Sequence, residues 1–146
     1  MISVERLEEL RKSRHIERIP YGVQSQPYLD RARRLLDTAD REMAVNPEVA
    51  MTCSYEAMLS CGLAVLASHG YRLTGRPGHH AVLADIVNDA VAASAYQASG
   101  LAYVRLRRLR NQSLYEAHIV DQDTAEHAKT HGEALLEWAK TETSGM

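Results

Sequence analysis

The residues best suited to chemistry lie in one arginine-rich segment, Arg105 to Tyr115, with the sequence Arg-Leu-Arg-Arg-Leu-Arg-Asn-Gln-Ser-Leu-Tyr. On a helix of about 100° per residue, Arg110 lies within roughly 60° of a mostly apolar group of side chains. A guanidinium on an apolar face needs a carboxylate or a wet cleft, because burying it without a partner is very costly. Arg110 is therefore either half of an ion pair or an anion-binding group in a cleft. The neighbours on this face are Leu106, Leu114, Ala117, Tyr103 and Tyr96, with Ser99 and Ser113 as small polar members.

The ion-pair interpretation requires an acidic residue on a neighbouring element, and Glu56 and Asp85 are the candidates. Glu56 is better placed, since it is the only charge in the central predicted helix beyond its first turn. In this interpretation Arg110 has a structural role, either paired with the acid or extending past its leucines toward water. The cleft interpretation gives it a functional role instead.

A polar stripe lies beside Arg110 on the same predicted helix, whereas Arg105 points to the opposite side, toward water. A solvated helix face is the ordinary interpretation of such arginines. Their crowding against Arg110 nevertheless creates a local positive patch suited to phosphates or to an acidic partner. The stripe consists of Arg107, Arg108, Asn111, Tyr115 and His118.

Histidines are the other candidates for chemistry. His79 and His80 begin a predicted helix, where they either cap it or approach the cleft. His127 and His131 are four residues apart, a spacing more typical of a surface pair than of a zinc site. Because no Cys/His group has ligand spacing with an acidic companion, the sequence predicts no metal site, and it contains no cofactor motif.

Hydrophobic spacing predicts an all-α protein, an antiparallel bundle of four or five helices without strands. Asn46-Pro47-Glu48 has the sequence of a helix start, and the helix after it is apolar on nearly all sides, as expected at the centre of a bundle. Residues 1–146 form one domain, in which 1–22 are a peripheral helix and linker, 27–140 are the bundle, and the end from Thr141 frays. The five main helices are expected to begin near residues 27, 47, 79, 96 and 121.

Composition narrows the class of protein further. The 146 residues are 45% hydrophobic and 25% charged, with a net charge of -2, so any nucleic-acid surface must be local. Cys53 and Cys61 share one predicted helix and lie roughly 12 Å apart, too far for a disulfide. The charge-free runs are too short to cross a bilayer, and the first residues lack the apolar block of a signal peptide. We therefore expect a reduced, cytoplasmic protein that does not contact membranes.

Four segments in this order resemble those of a HEPN domain: Ser54-Tyr55-Glu56-Ala57-Met58-Leu59, the apolar continuation into Gly70-Tyr71-Arg72-Leu73, the loop Gly78-His79-His80, and Arg110-Asn111-x-x-x-Tyr115. The resemblance covers about residues 27–140. It implies a helical bundle, often dimeric, of the kind found in prokaryotic toxin–antitoxin and defence systems. Such domains are frequently encoded beside a minimal nucleotidyltransferase.

The resemblance also implies site residues. Active ribonucleases of the family have an arginine followed by a polar residue and, after four to six residues, a histidine. Two protomers then form a composite, metal-independent site. Arg110 and Asn111 match this motif, but Tyr115 occupies the histidine position and, with a pKa near 10, is a poor proton carrier at neutral pH. His118 has a suitable pKa but the wrong spacing.

Three hypotheses follow from these observations. The first is a HEPN-like RNA-targeting module or metal-independent endoribonuclease with a degenerate site. Its catalytic candidates are Arg110, Asn111, Tyr115 and His118, and its binding candidates are Glu56, His79, His80, Arg107 and Arg108. The second is a non-catalytic domain that binds an antitoxin or nucleotidyltransferase. The third is a structural dimer, and a homodimer through the second and fourth main helices is expected.

Overall fold

Six helices and two short strands make up the part of the chain that the computed structural model describes, residues 2–20, 24–117 and 119–144, without the side chains of 113–116. The predicted all-α helical bundle is confirmed, with the five main helices beginning within one residue of their expected positions. The elements are α1 (Val4–Lys12), β1 (Ile16–Arg18), α2 (Gln26–Glu42), α3 (Pro47–Ser68), β2 (Tyr71–Leu73), α4 (His79–Val91), α5 (Gln97–Glu116) and α6 (Gln122–Ser144).

Helix α3 is the centre of the bundle and packs mainly against α2 and α6. The Asn46 side chain accepts a hydrogen bond from the Val49 amide at 3.4 Å and so begins the helix as the sequence predicts. Among the described helices, α3 alone is long and apolar enough to cross a membrane, although its charge-free run is shorter than a membrane span. Because 67% of its most apolar stretch is buried within the protein, these properties are those of a core helix.

Both ends of the chain are attached to the bundle. Helix α1 contacts mainly β1 and places Leu7 and Leu10 in the core. Helix α6 continues to Ser144 instead of fraying from Thr141, since Trp138 is buried near its end and the Thr143 hydroxyl donates to the Ala139 carbonyl at 2.8 Å.

The absence of strands is also a wrong prediction, because β1 and β2 form an antiparallel pair, with Ile16 opposite Leu73 and Arg18 opposite Tyr71. A three-residue strand is too short to show an alternating pattern in the sequence. Burial of Ile16, only 1% exposed, fixes β1 against the bundle. The pairing attaches the N-terminal segment to the chain that leads into α4.

Helices α4 and α5 approach each other closely at Gly100. A β-carbon added there would lie 2.5 Å from Val91 Cγ2 and 3.0 Å from the Asn88 Cα atom, so only glycine fits. This contact sets the separation of two helices that both carry candidate site residues.

Both cysteines are free, as the spacing predicts. Burial raises the pKa of the Cys61 thiol to about 12, and burial also raises that of the half-buried Cys53. Both are therefore neutral thiols at physiological pH, without the thiolate character that reactive cysteines need.

Candidate functional site

Arg110 lies over the face of an aromatic ring. Its guanidinium carbon is 5.2 Å from the ring centroid of Tyr55 on α3. Tyr55 is 2% exposed and contacts Tyr103 edge-on, with centroids 5.9 Å apart. Arg110 itself is half-buried next to the buried Leu106, in agreement with its predicted place on the apolar face of α5. This cation–π contact with a buried ring favours one position of the guanidinium.

Neither acid that the ion-pair interpretation offers to Arg110 forms that pair. Glu56 instead pairs with Arg31 of α2, at 3.8 Å between carboxylate and guanidinium, and Asp85 is exposed on α4. Glu56 follows Tyr55 by one residue, so it points about 100° away around α3, toward α2. No described acidic side chain pairs with Arg110, and its buried Nε atom has no hydrogen-bond partner.

His80, an exposed residue in the first turn of α4, is near enough to these side chains to be influenced by their charges. The pKa of His80 is lowered from its ordinary value, first by partial burial of the ring and then by its neighbour His79. The positive charges of Arg110 and Arg107 act in the same direction, and Glu56 opposes them. An imidazole in this setting is mainly neutral at pH 7 and able to accept a proton.

Three helices thus bring together residues that are far apart in the sequence. We call Tyr55, Glu56, His80, Arg107 and Arg110 the Arg110 cluster. His79 supports it, because its ring lies edge-on to that of His80 at 4.2 Å and its Nδ1 atom is 2.8 Å from the Arg76 carbonyl. Of the predicted binding residues, Glu56, His79, His80 and Arg107 are therefore at or beside the cluster.

The other predicted residues do not join it. Arg108 is exposed and makes no contact with the cluster among the described residues, while Asn111 is half-buried without a described side-chain contact. The side chain of Tyr115 and the whole of His118 lie outside the described residues. Arg105 is exposed, as predicted, and lines a different groove.

That second groove, about 410 Å³ in volume, lies between α5 and α6. It contains the histidine pair of α6, in which the rings of His127 and His131 are 4.5 Å apart and the Ser99 hydroxyl is 2.8 Å from His131 Nδ1. The described residues contain no group of three or more His, Cys, Asp or Glu side chains that could hold a metal ion.

The sequence alone does not identify Tyr55, whose ring lies under the Arg110 guanidinium, as a residue of the site. It appears there only as part of a motif. Burial raises the pKa of Tyr55 above its ordinary value, although Arg110 and Arg107 oppose this shift, so the ring stays neutral under the guanidinium. No local signal could have revealed the contact, because α3 and α5 are separated by another helix in the sequence.

The arrangement combines two chemical capabilities. A half-buried guanidinium with unused donors binds phosphate or carboxylate oxygens strongly, since charge-assisted hydrogen bonds gain strength away from water. A neutral, accessible imidazole that is influenced by this guanidinium can transfer protons near pH 7. Anion binding next to proton transfer is the chemistry that the geometry supports.

Comparison of this chain with protein-family models, curated proteins and solved structures found no match. The HEPN resemblance and the function that it implies therefore stay predictions.

Proposed function

We propose that this protein is a HEPN-like RNA-targeting module that acts as a metal-independent endoribonuclease, with the Arg110 cluster as its active site. One observation carries the proposal: a half-buried arginine, over the ring of a buried tyrosine and without an acidic partner among the described residues, acts through its charge on an exposed histidine. An unpaired guanidinium in such a place is costly unless an anion completes it.

In this proposal Arg110 donates hydrogen bonds to the non-bridging oxygens of the scissile phosphate. The Tyr55 ring favours one position of the guanidinium, so little side-chain freedom is lost when the phosphate binds. Arg107 adds a second positive charge, which favours the additional negative charge of the transition state.

His80 takes the role of the motif histidine. It removes the proton from the ribose 2′-hydroxyl, and the oxygen attacks the adjacent phosphorus. The bond from phosphorus to the 5′-oxygen breaks, and that oxygen takes up a proton from water. The products are a 2′,3′-cyclic phosphate and a 5′-hydroxyl end. Every atom needed for this step comes from RNA, water and the cluster itself.

A homodimer, a cytoplasmic location and an antitoxin or nucleotidyltransferase partner belong to the same proposal. The apolar surface of α3 is covered by other helices of the same protomer, so α3 offers little surface to a second protomer. In this proposal the face of α5 that bears Arg110 contributes most of the dimer interface. Light scattering at micromolar concentration should give twice the mass of the chain, and a monomer would contradict the homodimer.

The test of the activity is cleavage of an end-labelled 20-nucleotide RNA in a buffer with excess EDTA. We expect fragments with cyclic phosphate ends, no cleavage of the same strand with 2′-deoxyribose, and loss of cleavage in Arg110→Ala and His80→Ala. Arg105→Ala is the matched control, because it removes an exposed arginine of the same helix. Cleavage that needs Mg²⁺, or that survives Arg110→Ala, would overturn the proposal.

A further inference from the structure

A positively charged groove, separate from the Arg110 cluster and from the groove between α5 and α6, lies between α1, the two strands and the loop before α4. Its volume is about 910 Å³. Its four arginines outnumber its two glutamates, in a protein whose overall charge is slightly negative. All four guanidinium side chains belong to exposed residues. The charged residues of the groove are Glu8, Arg11, Arg14, Glu17, Arg18 and Arg76.

Both glutamates are already engaged. Glu8 accepts a hydrogen bond from Arg11 Nε at 3.0 Å, and Glu17 accepts one from Arg72 Nε at 2.8 Å. Arg14 and Arg18 form no ion pair among the described residues, although the charge of Arg18 adds to that of Arg11 in lowering the pKa of Glu8. The guanidinium carbon of Arg18 lies 5.3 Å from the Tyr71 ring centroid. The charge of these two arginines is therefore available to an anion.

The backbone that carries Arg14 is held in a rare conformation. Its φ angle is 64°, a left-handed value that a residue with a side chain adopts only when the surroundings enforce it. The Thr74 hydroxyl donates to the Arg14 carbonyl at 2.7 Å, and Arg76 donates to the neighbouring Ser13 carbonyl. The loop before α4 thus fixes the position from which Arg14 lines the groove.

The same loop connects the groove to the Arg110 cluster. The Arg76 carbonyl contacts the imidazole of His79, whose ring lies against that of His80. Arg76 and His80 are four residues apart, so their Cα atoms are separated by at most roughly 14 Å. A strand of RNA that leaves the cluster over this loop reaches the groove within a few nucleotides.

We propose that this groove binds the phosphate backbone of the RNA strand whose scissile phosphate lies at Arg110, on one side of the cleavage point. The inference rests on the proposed function and extends it, because it names how a long substrate is held. Contacts of this kind position the strand without reading its sequence.

The test compares two double variants of equal charge change. Arg14→Gln with Arg18→Gln removes the two available arginines of the groove. Arg34→Gln with Arg41→Gln removes two exposed arginines of α2 that have no described acidic partner. Binding of a labelled 20-nucleotide RNA is measured by fluorescence anisotropy at several salt concentrations. Cleavage of a dinucleoside monophosphate, which is too short to reach the groove, is measured in parallel.

We expect the groove variant to lose about tenfold in RNA affinity and its salt slope to fall by about 1.4, near 0.7 per lost phosphate contact. The α2 variant should keep the wild-type RNA affinity and salt slope. Both double variants should cleave the dinucleoside monophosphate at the wild-type rate. If the two double variants have equal effects on RNA affinity, or no effect, the proposal that the groove binds RNA is wrong. The proposed function of the Arg110 cluster would be unaffected by that result. Loss of binding to anionic lipid vesicles with unchanged RNA affinity would also overturn it. If instead Arg110→Ala leaves cleavage unchanged, the proposed function itself fails.

Discussion

Two half-buried arginines of this bundle, Arg33 and Arg110, have opposite surroundings. Arg33 on α2 makes two hydrogen bonds to Glu133 of α6, at 3.0 and 2.8 Å, and lies 3.3 Å from Asp37. Arg110 on α5 faces the ring of Tyr55 and has no described acidic partner.

The difference separates a structural arginine from a binding one. The fork of Arg33 is occupied by a carboxylate that fits it, and Lys129 adds a further ion pair to Glu133 at 3.5 Å. The buried Nε atom of Arg33 lacks a partner, as that of Arg110 does, but both terminal nitrogens of Arg33 donate to Glu133, so the fork is not free for a ligand. Arg110 has the same side chain and a comparable degree of burial, but its donors are left for an anion from outside. Burial of an arginine therefore indicates a site only when its partners have been accounted for.

The largest expected effect of this difference is on RNA cleavage. Arg110→Ala should lower the cleavage rate by about 10²–10³-fold, the usual cost of losing one preorganised donor to a transition state. Arg33→Ala should leave the rate unchanged, and Arg110→Lys should recover only part of it, because an ammonium lacks the planar fork. Single-turnover kinetics with labelled RNA check this. Similar rates for the two alanine variants would remove the distinction between the two arginines.

The free energy of unfolding should show the reverse order, because Arg33→Ala should destabilise the fold more than Arg110→Ala. Both effects should be smaller than the effect on cleavage. Arg33→Ala should lower the free energy of unfolding by about 1 kcal/mol, a figure kept small because the pair is partly exposed. Arg110→Ala should cost less than the 3–5 kcal/mol expected for an orphaned carboxylate, because Glu56 keeps its pairing with Arg31. Chemical denaturation at pH 7 measures both. A loss of several kcal/mol in Arg110→Ala alone would reveal a structural role.

The pair of Arg33 and Glu133 should also make stability depend on pH. Hydrogen bonding to Arg33 is the main cause that lowers the pKa of Glu133 below its ordinary value of 4.5. A lowered carboxylate pKa stabilises the fold fully above pH 4.5, and this contribution is lost as the pH falls through the folded-state value. The stability advantage of wild type over Glu133→Gln should therefore be present at pH 7 and shrink below pH 4.5. An advantage that is constant from pH 7 to pH 3 would contradict the pairing.

A smaller effect is expected on the pH profile of cleavage. Since the pKa of His80 is lowered, its neutral form persists below pH 6.5, and the acidic limb of the profile should lie below that value. Arg107→Gln removes a charge that lowers this pKa, so the limb should move up, whereas Glu56→Gln should move it down. Movement of both variants in the same direction would show that His80 does not carry the proton.

The smallest expected effect is that of Arg105→Ala. This side chain is exposed and away from the cluster, so stability should change by no more than about 0.5 kcal/mol. Thermal unfolding of Arg105→Ala and Arg110→Ala compares their stabilities, and the cleavage assay compares their rates. A marked loss of cleavage in Arg105→Ala would mean that RNA also contacts the groove between α5 and α6.

The sequence predicted the fold better than the site for a physical reason. The Asn46-Pro47 start of α3 and the apolar spacing of α2 are local signals, and local signals determine where helices begin. The antiparallel pair β1 and β2 depends on contacts between residues more than fifty positions apart, and three-residue strands carry no periodic pattern.

The predictions for the site divide in the same way, between what a single helix determines and what contacts between helices determine. The position of Arg110 on an apolar face came from its own helix and agrees with the structure. Three other features depend on how three helices are rotated against each other. They are the contact of Arg110 with Tyr55, the ion pair of Glu56 with Arg31, and the position of His80. A helical wheel contains no information about rotation between helices, so these contacts could be found only in the folded chain.

Gly100 has a consequence for genetics. The imidazole and the guanidinium of the cluster stand on α4 and α5, and the bare glycine backbone allows those helices to touch. A random screen for loss of RNA cleavage should therefore recover substitutions at position 100 as well as in the cluster. Second-site suppressors of such alleles should then map to Val91, where a smaller side chain makes room for the added atoms.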